Sequence, residues 1–266
     1  MIASLSTLPR ALAALSLLAV AASAGAAQVQ VTVNIENLAP ANSVTFAPLH
    51  LGFNNGSFDA FNIGSVGGAG IVSVAEGGSG TVWQANFAAA DPGATRGTIG
   101  GPLFPGAIKS ASFLVDTALN PFFTFGAMVV PSNDFFIGND SPTEYRLFNG
   151  GGTALQVSSI TVKANEIWDA GSEVYDPAAA AFVGNNDLRA PQNSVVAFNF
   201  AEFFGYNGLT TAAGYTFNSQ LAANTDVYRI SFTAAPVPEP ESYALMAAGL
   251  LALGALARRR QVGTRG

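Results

Sequence analysis

Cysteine is absent from this chain of 266 residues, and histidine occurs once, at His50. No disulfide framework, thiolate zinc site, iron–sulfur cluster or cysteine nucleophile can be built without cysteine. A lone histidine cannot supply a histidine-rich metal site. Charge is scarce too, at 11% of residues against 49% hydrophobic, a balance opposite to that of a disordered chain. Basic residues are fewer than acidic ones, 11 against 17, and the isoelectric point near 4.6 excludes the basic face that a nucleic-acid partner requires. No stretch carries a sustained helical period, and 29 glycines penalise helices.

What is present begins with two unusual ends. Residues 1–27 have the three-part pattern of a secretory signal peptide. Arg10 supplies the positive region, Ala11–Ala22 the apolar run, and Ala22-Ser23-Ala24 and Ala24-Gly25-Ala26 two small-residue cleavage sites. The other end, residues 237–266, reverses the order. Val237-Pro238-Glu239-Pro240 breaks the chain, Tyr243–Ala257 is an uncharged apolar segment, and Arg258, Arg259 and Arg260 close it. That segment is 15 residues long, just short of the roughly 17–25 that span a bilayer, and snorkelling arginines extend its reach. The arginines would hold this end on the cytoplasmic side and leave the body outside.

These three parts in this order resemble a PEP-CTERM sorting signal. The resemblance implies an inner-membrane intermediate held by the C-terminal helix and cut near Pro238-Glu239-Pro240 by an exosortase. Delivery to the cell surface or the extracellular space would follow. A permanent single-pass anchor is the alternative.

Between the ends, residues 28–236 hold 15 acidic and six basic side chains, so the body is more acidic than the whole chain. A domain of this size buries about 70% of its surface, enough for a core without disulfides. Val29–Ile35 alternates strictly between apolar and polar residues, the period of a half-buried strand. Further apolar, β-branched or aromatic segments are Val44–Leu51, Ile71–Val74, Thr81–Phe87, Ala111–Val115, Phe122–Val130, Ala154–Val162, Ser194–Phe200 and Val227–Thr233. Turn pairs such as Asn55-Gly56, Gly77-Gly78 and Asn207-Gly208 separate them. The expectation is an all-β fold, one antiparallel β-sandwich domain. Gly64–Gly80 reads as an exposed loop with a short strand, because it lacks the Lys-Ser/Thr end of a phosphate loop.

Two acidic segments lie in apolar surroundings. In one, Asp134 directly precedes Phe135 and Phe136, with Asp140 close behind. In the other, Trp168-Asp169-Ala170-Gly171-Ser172-Glu173, two acids flank a glycine and a turn at Gly171 brings them together. Hard oxygen ligands without histidine or cysteine suit calcium. The plain alternative is that these acids cap turns, as Asp91 does in Asp91-Pro92-Gly93, read here as solvated.

The stretches Pro131–Asp140 and Trp168–Glu173 resemble the signature segments of the spondin N-terminal domain family. The resemblance implies a C2-like β-sandwich holding one calcium ion through Asp134, Asp169 and Glu173. Glu173 stands where that family has an aspartate. Asp140 and Glu144 are secondary candidates. No Gly-x-Ser-x-Gly nucleophile elbow occurs. The chain therefore reads as a non-enzymatic, calcium-binding surface or matrix protein that associates with extracellular polysaccharide or surface proteins. The alternative is an exported hydrolase acting on envelope or matrix polysaccharide.

Overall fold

The computed structural model describes residues 28–150, 152–237, 247–251, 253 and 254. Among these described residues, eleven strands form two antiparallel sheets. They are β1 (Gln28–Asn37), β2 (Thr45–Phe46), β3 (Leu49–Asn54), β4 (Thr95–Ile99), β5 (Ile108–Asp116), β6 (Phe122–Val130), β7 (Phe135–Gly138), β8 (Tyr145–Arg146), β9 (Ser159–Lys163), β10 (Trp168–Asp169) and β11 (Asp226–Pro236). The first sheet has the order β5-β1-β11-β9. The second runs β10-β7-β6-β3-β4, with β2 and β8 also paired to β6.

The two sheets face each other across one core, the all-β sandwich that the sequence leads one to expect. Val29, Val31, Val33 and Ile35 from β1 bury against Leu49, Leu51 and Phe53 from β3 and Phe123, Phe125 and Ala127 from β6. Aromatic edges fill the layer between. Phe123 meets Phe53 at 5.3 Å and Phe232 at 4.9 Å between ring centroids, spacings at which edge contacts are favourable.

Two segments expected to be strands are helical. Ile71–Val74 lies in α1 (Ala69–Gly77) and Thr81–Phe87 in α2 (Thr81–Ala90), so Gly64–Gly80 is not the loop with a short strand that its composition suggests. The reason is the far face of the second sheet. α1 buries Ile71, Val74 and Ala75, and α2 buries Trp83 and Phe87, each at helical spacing. Together with Phe58, Phe61 and Phe136 they make a second apolar cluster outside the sandwich. Strand β3 is consequently buried on both faces. Gly80 sits against the His50 imidazole, where any Cβ would collide with the ring. His50 itself is a buried strand histidine, its Nε2 and Nδ1 each 3.0 Å from Gly78 O and Thr98 Oγ1. Ser194–Phe200 also fails to form a strand and contributes only isolated bridges, Val66–Val195 and Asp169–Ala197.

The strand directions give the molecule two poles. Val29 pairs with Pro236, and Val237 N donates to Gln28 O at 3.3 Å, so both ends of the body leave side by side. β5 ends at that pole, opposite Gln28, and β6 starts there after five intervening residues. β6 then runs about 30 Å, nine residues at roughly 3.3 Å each, to the opposite pole.

Among the described residues no helix is long and apolar enough to cross a membrane. The expected signal peptide, Pro238, Glu239, Pro240 and Arg258–Arg260 lie outside the described residues, as does most of Tyr243–Ala257.

A carboxylate site at the far pole

Asp134 follows β6 in a turn pinned by Ser132, whose Oγ donates to Val129 O at 2.6 Å and accepts from Phe135 N at 3.0 Å. β10 pairs with β7 so that Asp169 lies opposite Phe135, and this pairing carries Asp169 to Asp134. The chain then reverses at Gly171, whose φ of +66° suits glycine. A Cβ there would stand 2.8 Å from Val195 O and from the carbonyl carbon of Ser194. The reversal aims three donors at one oxygen. Ser172 N, Ser172 Oγ and Glu173 N donate to Asp134 Oδ2 at 2.7, 3.0 and 3.0 Å. Asp169 Oδ1 accepts from Gly171 N at 2.6 Å.

The other oxygen of Asp134 is different. The residue is 1% exposed, and its buried Oδ1 has no hydrogen-bond donor. The Asp169 carboxyl touches Asp134, and two ionised carboxylates have no proton to share. Burial pushes the Asp134 carboxyl up despite its three donors. Burial and the Asp134 charge push Asp169 up to about 7. The contact therefore calls for a proton or a cation.

Glu173 is placed otherwise. It is 7% exposed, its Oε1 is 3.3 Å from Arg189 Nε, and its buried Oε2 has no donor. Arg189 also donates from Nη2 to Glu76 O at 2.7 Å, which ties the guanidinium to α1. Burial outweighs the guanidinium and raises Glu173 to about 7. Among the described residues no three Asp, Glu or His side chains are gathered closely enough to hold a metal ion as they stand. Of the three carboxylates that the sequence points to, Asp134 and Asp169 converge, while Glu173 is turned to Arg189.

The secondary candidates do other work. Asp140 Oδ1 accepts from Ile63 N at 2.8 Å, anchoring a loop, and Glu144 is exposed. Asp91 is not solvated. It is 3% exposed and accepts from Asn55 N at 2.9 Å and Gly93 N at 3.1 Å, joining two turns.

Sequence reasoning missed Arg189, Glu202 and the Asn133–Tyr206 contact. Tyr206 OH donates to Asn133 Oδ1 at 2.8 Å, beside Asp134. A signal for Glu202 is present in Asn199-Phe200-Ala201-Glu202, an Asx cap followed three residues later by glutamate. Asn199 does cap that turn, accepting from Ala201 N at 3.2 Å.

Compared with known proteins, residues 236–261 match the PEP-CTERM protein-sorting motif. No curated protein matches the chain. The motif marks an exported protein that an exosortase-type enzyme processes and sorts to the surface. It covers the tail alone, so the body has to be read from its own chemistry.

Proposed function

We propose that the body is a non-enzymatic surface or matrix module whose far pole binds calcium through Asp134 and Asp169, with Glu173 joining them on release from Arg189. The observation that carries this reading is the donorless, buried Oδ1 of Asp134 in contact with a second carboxylate. The donors on offer are hard oxygens, the ligand type of calcium. The likeness of the two acidic segments to the spondin N-terminal family points the same way. A polysaccharide or a surface protein is the partner that the exported setting favours.

A hydrolase is the less favoured reading. Glycosidase carboxylates stand at least about 5 Å apart to admit the sugar, whereas Asp134 and Asp169 touch.

The test is thermal melting of the full chain with calcium or with chelator. At free calcium one hundred times the dissociation constant, binding adds about 2.7 kcal/mol, which raises the melting temperature by several degrees. Asp134→Asn and Asp169→Asn abolish most of that rise. A melting curve that calcium leaves unmoved removes the site. Release of reducing ends from a glycan panel would instead favour the hydrolase.

A further inference from the structure

A segment bonded beside both aspartates carries an acid that neither signature stretch contains. Residues 197–206 are fixed at both ends to the two converging aspartates. At one end Asp169 N donates to Ala197 O at 2.7 Å, and Ala197 N donates back to Asp169 O at 3.1 Å. At the other, Tyr206 OH bonds Asn133, the neighbour of Asp134. Phe203 packs against Phe135, the residue after Asp134, with centroids 5.2 Å apart. The 3-10 turn Phe200–Tyr206 thus spans from one aspartate to the other, and Glu202 projects from its first turn.

Glu202 resembles Asp134 in the feature that matters. One oxygen is held, Oε1 accepting from Asn199 Nδ2 at 3.2 Å, while the buried Oε2 has no donor. The Asp134 charge lifts Glu202, and the Glu202 charge lifts Asp169. Glu173, by contrast, already has the Arg189 guanidinium as its counter-ion.

Resting on the calcium reading above, we infer that Glu202 is a further ligand of the same cation, reaching the Asp134–Asp169 pair from the turn Phe200–Tyr206. A Glu side chain has three rotatable bonds, and a single weak amide bond restrains this one, so it moves onto the ion when calcium enters. Glu173 needs to break an ion pair to do the same.

The experiment is calcium titration of the full chain by calorimetry, with melting in chelator as the measure of folding. Terbium emission sensitised by the nearby Trp168 and Tyr206 serves as a second reading. Glu202→Gln keeps the shape and the Asn199 contact but removes the charge. It should weaken calcium by about tenfold or more, since affinity follows the number of charged ligands, and leave the chelator melting point unchanged or higher. Glu202→Asp keeps the charge but shortens the reach, and should weaken binding as well. Calcium bound as tightly by Glu202→Gln as by the parent, while Asp134→Asn abolishes binding, overturns the role of Glu202 and leaves the calcium reading standing. A Glu202→Asp protein with full affinity overturns ligation in favour of a diffuse charge effect. No calcium binding by the parent overturns both.

Discussion

The four-stranded sheet and the stretch from residue 164 to 225 are held together by different means. In the sheet, β1 pairs along nine residues with β11 and along nine with β5, and every second side chain of Val29–Ile35 is buried. Each contact is one of many alike. Between residues 164 and 225 the only named strand is the two-residue β10. The backbone of that stretch is held by caps, isolated bridges and single groups, among them the Asp134 and Asn133 side chains and the reversal at Gly171. A ladder tolerates the loss of one rung, whereas a loop built on single groups does not, so the carboxylate pole concentrates its dependence on a few residues. Functional groups collect on such segments because a rigid scaffold positions them.

The largest effect should come from the scaffold itself. Phe123→Ala empties a fully buried site between three other rings. It should cost about 3–5 kcal/mol, measured by denaturant unfolding, and equally with and without calcium. A loss that depended on calcium would show that the core and the pole are not separate.

Next comes Gly171→Ala, which places a Cβ 2.8 Å from backbone atoms at a positive φ. The left-handed conformation alone costs about 1–2 kcal/mol for a residue with a side chain. Because Gly171 aims Ser172 and Glu173 at Asp134, the calcium-dependent rise in melting temperature should shrink as well. An intact rise would separate the reversal from the site.

Acidity provides a smaller test. Asp169 and Glu173 have folded values near 7, well above their ordinary carboxylate values, so between about pH 4 and 7 the folded state binds more protons than the unfolded one. Stability of the calcium-free protein therefore falls as pH rises through that window. Asp134→Asn lowers Asp169 by removing its charged neighbour and should flatten the profile. His50 acts oppositely, since burial lowers its value and its contribution is lost as pH falls below about 6.5. Melting curves from pH 4 to 8, in chelator, separate the two slopes.

The smallest effect belongs to the sheet surface. Arg229 Nη1 and Glu36 Oε2 are 2.9 Å apart on the outer face, both partly exposed. A double-mutant cycle should give no more than about 1 kcal/mol, with no change in calcium binding.

Legibility in the sequence follows the same division. β1 could be read from Val29–Ile35 alone, because alternation and burial coincide on a half-covered sheet. The helices could not. Ile71–Val74 and Thr81–Phe87 are short and rich in β-branched or aromatic residues, and what makes them helical is the bare face of β3 and β6, which lies elsewhere in the chain. Asp134 and Asp169 were legible from their surroundings and from the resemblance of the two segments that carry them. Arg189 was not, since it reaches Glu173 from a separate stretch, and Glu202 showed only as the acid of an Asx-capped turn. Asp91 looked like an ordinary turn residue, and only the fold shows that Asn55 draws its carboxylate inward.

The side-by-side exit of Gln28 and Val237 bears on maturation. Gln28 and Val237, the described residues nearest the two cuts that the sequence expects, lie at the pole from which β6 departs, about 30 Å of strand away from Asp134. Neither of these two residues belongs to the carboxylate loops. A cut outside Gln28 or Val237 would therefore break the chain at the pole opposite the carboxylate pair.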